Sequence, residues 1–139
     1  MADSSRPVRV KICGLTRPED AFRLTVLQPG WLRLQTPERL DADAARRNRW
    51  IFDFVEHRHF LLDLADVKFI DSTCVGLLLQ LRKSVQVSGR RLVLLAPSRA
   101  VQKALKLMRM QNLFLTAADA LEARALIETA TVGQWKEVT

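Results

Sequence analysis

The chain has little cysteine and no long apolar run, and each shortage excludes a class of protein. Its two cysteines, Cys13 and Cys74, lie far apart and provide no disulfide framework. Unpaired cysteines fit a reducing compartment, and the first residues contain no apolar signal segment, so we expect a cytoplasmic protein. No apolar stretch approaches the ~20 residues of a membrane span, so we expect no membrane insertion. Because no cysteine and histidine residues have metal-ligand spacing and no glycine-rich phosphate loop occurs, the sequence predicts neither a metal site nor a cofactor.

Acidic residues are absent from one long interval of the chain. Between Asp71 and Asp119 there is no Asp or Glu, and the net charge of the whole chain is +7. The basic residues of this interval are Arg82, Lys83, Arg90, Arg91, Arg99, Lys103, Lys106 and Arg109. Two interpretations are open, a docking face for an acidic partner and a solvated face that keeps the protein in solution. Nucleic acid and a membrane surface are less favoured partners for such a face, and we expect no nucleic acid and no membrane insertion.

The hydrophobic pattern predicts strands that alternate with helices. The predicted strands lie near residues 22–27, 31–35, 60–64, 92–96 and 113–115. The predicted helices cover about residues 42–57, 73–88, 99–108 and 117–130. The first two strands flank a Gln-Pro-Gly turn and form a hairpin. The order ββαβαβαβα therefore indicates an α/β fold, a sheet of four to five strands with helices packed on it.

Residue types at the predicted helix ends support these boundaries. Asp41 and Ser98 are good N-caps for the first and third helices. Gly89 is well placed to follow the second helix in a left-handed conformation. Thr116 and Asp119 have the spacing of a capping box, which predicts the start of the last helix.

The stretch Ile70-Asp71-Ser72-Thr73-Cys74-Val75-Gly76 is the most informative part of the sequence. It follows a short apolar strand and precedes a long, leucine-rich helix. Asp71, Ser72 and Thr73 are residue types that begin helices. Two neighbouring hydroxyls are therefore expected at the positive end of a helix, where a phosphate is stabilised.

This pattern and the order of elements resemble the STAS domain family of anti-sigma-factor antagonists, over about residues 22–130. The resemblance implies a STAS fold with a mixed sheet, and a non-enzymatic protein-binding module without catalytic residues. Such a module sequesters an anti-sigma factor that is also a serine/threonine kinase, and phosphorylation switches it. By position the phosphorylated residue is Thr73, with Ser72 as a secondary acceptor. The switch loop implied by the resemblance consists of Asp71, Ser72, Thr73, Cys74 and Gly76.

Each residue of the switch loop has an expected role. Asp71 caps the helix and shapes the loop around the hydroxyls. Gly76 lets another backbone or side chain approach the helix closely. Cys74 departs from the family pattern, in which glycine is usual, and we expect it to be a small core residue. This departure leaves open whether the phosphorylation switch is retained.

The third predicted helix carries the expected partner-binding face. Its basic residues fall near one stripe by steps of three and four: Arg99, Lys103, Lys106 and Arg109. We expect this face to bind an acidic docking face on the anti-sigma factor/kinase. Leu107 and Met110 do not belong to the packed stripe, and they either anchor a partner or cover the fifth strand.

Other functions remain open from the sequence. The same family resemblance allows a structural subunit of a phospholipid ABC transporter, whose partner is the transporter ATPase, or a stressosome-like scaffold subunit. A second stretch, Val10 to Ala21, resembles the first strand and loop of phosphoribosylanthranilate isomerase, in which the cysteine at the position of Cys13 is catalytic. That enzyme is a barrel, and such barrels need about 250 residues, so we expect no isomerase activity.

The expected domain organisation has three parts. Residues 1–21 form an N-terminal extension with a possible extra strand, residues 22–130 form the STAS domain, and residues 131–139 form a poorly ordered tail.

Overall fold

A computed structural model describes residues 21–55 and 57–133 of the chain. The strands are β1 Arg23–Gln28, β2 Trp31–Gln35, β3 Arg39–Leu40, β4 His59–Asp63, β5 Phe69–Ile70, β6 Leu92–Leu95 and β7 Leu115–Ala117. The α-helices are α1 Ala42–Arg47, α2 Ser72–Val87, α3 Arg99–Leu107 and α4 Ala120–Gly133, and two 3-10 helices cover Arg49–Phe54 and Gln111–Leu113. The possible extra strand near the N-terminus and the motif around Cys13 lie outside the described residues, as does the tail beyond Gly133. The predicted tail began at residue 131, but α4 continues through Gly133.

Five strands form one mixed sheet in the order β1-β2-β4-β6-β7. β1 is antiparallel to β2, and the other neighbouring strands are parallel. Gly30 has a φ of 79° in the turn between β1 and β2, a conformation that favours glycine after Pro29. The predicted α/β class, hairpin and mixed sheet are therefore confirmed.

Side chains alternate along each strand, so the sheet has an apolar surface on both faces. Helices cover both of these faces. On one face, strand residues such as Leu34 and Leu62 share a buried core with α1, α2 and α3. On the opposite face, Leu61, Val93 and Leu95 pack against α4. β4 and β6 are thus covered on both faces, which explains why β6 is apolar throughout and β4 is apolar at its three central residues. In the described ranges no helix is both long and apolar enough to cross a membrane.

The prediction of one continuous first helix ending near His57 is wrong. α1 ends just before Asn48, and a 3-10 helix follows. The Asn48 side chain is fully buried, and its amide nitrogen donates to the Ala44 carbonyl at 2.8 Å. Its Oδ1 accepts hydrogen bonds from the Phe22 backbone N–H at 3.0 Å and from Trp50 Nε1 at 3.1 Å. This side chain competes for backbone partners and joins the end of α1 to the start of the sheet, so the helix stops there.

A second, small sheet was not predicted from the sequence. β3 and β5 pair in parallel, with Leu40 opposite Ile70. The Asp71 backbone N–H continues the ladder by donating to the Leu40 carbonyl at 3.0 Å. This ladder brings the starts of α1 and α2 side by side, and it therefore positions the switch loop.

The start of α4 differs from the predicted capping box. Thr116 lies inside β7 and does not open the helix. β7 begins two residues later than the predicted strand, because a 3-10 helix occupies the preceding residues. Asp119 and Glu122 cap this helix start instead. Asp119 Oδ1 accepts from the Glu122 backbone N–H at 2.9 Å, and Glu122 Oε2 accepts from the Ala118 N–H at 3.3 Å.

The other predicted helix ends are confirmed. Asp41 caps α1 and Ser98 caps α3, each through its side-chain oxygen. Gly89 follows α2 with a φ of 78°, and the backbone bonds of a Schellman motif close the helix there.

Candidate functional site

One carboxylate, that of Asp71, caps two helices. Its Oδ1 accepts from the Cys74 backbone N–H at 3.0 Å, which makes Asp71 the N-cap of α2. Its Oδ2 accepts from the Ala42 N–H at 3.0 Å, at the first residue of α1. Both bonds satisfy donors that a helix start leaves without an intrahelical partner. The first bond was predicted from the local pattern, whereas the second joins residues that are distant in the chain.

A second fixed negative charge lies beside the first, on Asp41. Its Oδ1 accepts from the Ala44 N–H at 3.0 Å, and its Oδ2 accepts from Arg39 Nε at 2.9 Å. The hydrogen bond from the Ala44 amide, assisted by Arg39, lowers the pKa of Asp41 below its ordinary value. Asp41 is therefore ionised at neutral pH, so a capping carboxylate lies at the start of each of the two helices.

The two predicted hydroxyl residues open the first turn of α2. Ser72 and Thr73 directly follow the cap Asp71, and both are exposed. The partial positive charge of the helix start, about half an elementary charge, acts on this turn. A phosphate on Thr73 would be attracted by the helix start and repelled by Asp71. The site therefore has opposing fields around an accessible hydroxyl.

Cys74 is a core residue that also ties α2 to α1. The side chain is buried, and its Sγ donates to the Asp41 carbonyl at 3.2 Å. Burial, reinforced by the charges of Asp71 and Asp41, raises the pKa of the Cys74 thiol to about 12. The expectation of a small core residue is confirmed. The departure from glycine thus fills space in the core and adds a link between the two helix starts.

Cys74 is expected to be unreactive in the folded protein. In a Cys13→Ser variant at pH 8, alkylation by iodoacetamide should be at least about a hundredfold slower than in urea, because the thiolate is the nucleophile and the folded thiol remains protonated. Mass spectrometry of timed samples measures both rates. Equal rates in the folded and unfolded chain would contradict the described burial.

Gly76 has open space around it. A Cβ placed on Gly76 would meet no heavy atom within 4 Å outside its own helical surroundings in the part of the chain that the structure describes. The described residues therefore give no internal reason for glycine at this position. The expected close approach at Gly76, if it serves function, concerns a partner and stays a prediction.

The predicted partner-binding residues lie on the surface next to the switch loop. α3 packs against β5 and α2, which carry that loop. All four residues of the predicted face, hereafter the basic face, are exposed: Arg99, Lys103, Lys106 and Arg109. The expectation of one helical stripe holds for three of them. Arg109 lies beyond α3, in the left-handed position that closes the helix, with a φ of 55°.

The structure distinguishes the two leftover apolar residues near the basic face. Leu107 is 75% exposed, whereas Met110 packs against the core. Leu107 is therefore available to a partner, whereas Met110 is partly buried against the core.

An aromatic contact beside the switch loop was not predicted from the sequence. The Phe69 ring is partly exposed, and the Arg39 guanidinium lies over it at 4.3 Å. Because Arg39 also binds Asp41, this pair forms a rim along the site. The signal in the sequence was weak, since a single aromatic residue before Ile70 is equally expected in a core strand.

Comparisons with known proteins agree with this geometry. The family model of the STAS domain matches residues 28–123, which include the switch loop and the basic face. A candidate anti-sigma factor antagonist of Thermotoga maritima is 30% identical over 80 residues, which cover 53% of this chain and 71% of that protein. The crystal structure of a candidate anti-sigma factor antagonist from the same organism is similar with a TM-score of 0.64 and 26% identity, covering 71% of this chain and 88% of that one. The fold also matches SpoIIAA of Bacillus in its unphosphorylated form, with a TM-score of 0.67, 21% identity and coverage of 78% and 96%.

Proposed function

The chain belongs to the STAS domain family, and from this premise we propose that it is an anti-sigma-factor antagonist controlled by phosphorylation of Thr73. In this function the protein is a binding module that occupies an anti-sigma factor, so that the sigma factor becomes free. The observation that carries the proposal is the exposed Thr73 hydroxyl in the first turn of α2, beside the doubly bonded Asp71.

The proposed switch is a phosphoryl transfer followed by an electrostatic change. The Thr73 Oγ attacks the γ-phosphorus of ATP bound to the partner kinase, the bond to the β-phosphate oxygen breaks, and ADP leaves. The hydroxyl proton passes to a base of the kinase. The new group carries a charge of about −1.5 to −2. It lies next to Asp71 and near Asp41, and the helix start offsets only part of this repulsion.

The proposed partner surface combines charge with one apolar contact. The basic face supplies four cations, and the sequence has no acidic residue between Asp71 and Asp119 that could neutralise them locally. Leu107 adds exposed apolar area to the same region. These features support an anti-sigma factor/kinase whose docking face is acidic, because complementary charge speeds association and selects partners.

A release assay tests this function. The purified protein is added to a complex of an anti-sigma factor and its sigma factor from the same organism, and free sigma factor is measured by gel filtration. We expect release with the unmodified protein and much weaker release with Lys103→Glu, which reverses a charge on the basic face. Arg23→Glu is the matched control, since Arg23 is exposed on the edge strand β1. The proposal would be overturned if the unmodified protein released no sigma factor, or if Lys103→Glu and Arg23→Glu reduced the release equally.

Arg109→Gly should separate stability from binding. Replacing Arg109 by glycine relieves the left-handed conformation and should raise the free energy of unfolding by about 1 kcal/mol. The same change removes a cation of the basic face, so affinity for the anti-sigma factor should fall several-fold. Urea unfolding and calorimetric titration give the two values. A stabilised variant with unchanged affinity would remove Arg109 from the docking face.

The two alternative functions stay predictions. Both a transporter subunit and a stressosome-like scaffold are compatible with a STAS fold. The named relatives are described as anti-sigma factor antagonists, and no feature of the site specifically favours an ABC-transporter ATPase as the partner.

A further inference from the structure

A cavity of about 270 Å³ lies far from the switch loop, between the second half of α2, the start of β6 and the 3-10 helix before β7. Its polar lining consists of Arg82, Gln86, Arg91 and Asn112, and its apolar wall includes Leu92 and Phe114. Arg82 is about 14 Å from Thr73 along α2, at 1.5 Å per residue. The cavity is therefore separate from the proposed phosphorylation site.

The polar groups of the cavity are positioned by regular structure. Arg82 and Gln86 are four residues apart on α2, so they lie on one face of the helix. Arg91 immediately precedes β6 and is only 6% exposed. Its backbone N–H donates to His59 Nδ1 at 3.0 Å, and its carbonyl accepts from the Phe60 N–H at 2.9 Å. The backbone at this buried guanidinium is thus held in place by the neighbouring strand.

The positive charges of this region also act on the neighbouring His59. Burial, together with the charges of Arg90 and Arg91, lowers the pKa of His59 to about 4. The ring is therefore neutral at pH 7, which leaves Nδ1 able to accept the bond from Arg91. The cavity itself is lined by two guanidinium groups and two carboxamides, and its described lining contains no carboxylate.

This donor set fits an oxyanion. Guanidinium groups bind phosphate and carboxylate oxygens with two parallel hydrogen bonds, and carboxamides add neutral donors. The C-terminus of α2 opposes an anion with about half a negative charge, which is smaller than the positive charge that Arg82 alone contributes. The volume exceeds the ~30 Å³ share of one water molecule and falls below the roughly 300–1,000 Å³ of sites for drug-sized ligands.

We propose that this cavity binds a small phosphate-bearing anion, free phosphate or a compact phosphate ester. The site would give the domain a ligand-binding function that does not depend on the anti-sigma factor or on phosphorylation of Thr73.

An NMR titration of the full chain tests the proposal with inorganic phosphate and with glycerol 3-phosphate, and sodium chloride at equal ionic strength is the control. Saturable amide shifts are expected at Arg82, Arg91 and Asn112. Arg82→Gln should weaken binding about tenfold, which corresponds to one charged hydrogen bond. Lys83→Gln, at the exposed neighbouring position, should leave binding unchanged.

The outcomes are distinct. Tighter binding of glycerol 3-phosphate identifies an ester as the ligand class, and tighter binding of inorganic phosphate identifies the free anion. Shifts no larger than those from chloride, equal weakening in both variants, or shifts at Ser72 and Thr73 instead would overturn the proposal. Thermal unfolding of each variant shows that it is folded. Arg82 is chosen for substitution because it is only partly buried, whereas Arg91 is buried and its loss would disturb the fold more.

Discussion

Phosphorylation of Thr73 is expected to weaken the complex with the anti-sigma factor by about a hundredfold or more, because like charges in an interface cost several kcal/mol and each 1.4 kcal/mol is tenfold. The phosphate would lie beside Asp71, whose carboxylate cannot move away because it caps both α1 and α2. Asp41 remains ionised nearby. The phosphate would add its charge to those of the two fixed carboxylates, so the loop would repel the acidic docking face of the partner without a conformational change.

Calorimetric titration of the anti-sigma factor with the modified and unmodified protein measures this effect. Thr73→Glu adds about one negative charge and should show a smaller loss of affinity than the phosphate. Thr73→Val keeps the shape without the hydroxyl and should bind like the original protein. Gln80→Glu is the matched control, since Gln80 is exposed farther along α2. Equal effects of Thr73→Glu and Gln80→Glu would show that general charge, not this position, controls binding.

Asn48→Ala is expected to lower the free energy of unfolding by about 3 kcal/mol, which is large for a single substitution. The change removes three hydrogen bonds from a fully buried residue. It leaves the Phe22 backbone N–H buried without this acceptor, and such a group costs roughly 1–3 kcal/mol. The substitution also releases the end of α1 from the start of β1.

Urea unfolding, followed by circular dichroism, measures the effect of Asn48→Ala. Asn112→Ala is the matched control, because Asn112 is exposed and the same side chain is removed. We expect the control to change stability by less than about 0.5 kcal/mol. A similar small change in both variants would show that Asn48 does not hold α1 to the sheet.

Features with a strong local pattern were predictable from the sequence. β6 is apolar at every position because both faces of the sheet are covered, and Gly89 marks the end of α2 because a left-handed residue was required there. The position of Thr73 at the start of α2 followed from the cap residue Asp71 in the same way.

Features that depend on distant partners were not predictable. The break after α1 results from bonds between Asn48 and residues such as Phe22, which no periodicity reveals. The β3–β5 ladder has two residues in each strand, too few to produce an alternating pattern. The second bond of Asp71 reaches α1 only because this ladder brings the two helices together.

Incubation of the protein with its anti-sigma factor/kinase, ATP and Mg²⁺, followed by mass spectrometry of the peptide that contains residues 71–74, tests the switch most directly. We expect one phosphate on Thr73, retained in Ser72→Ala and absent in Thr73→Val. Absence of phosphate from this peptide, or its presence on Ser72 alone, would contradict it.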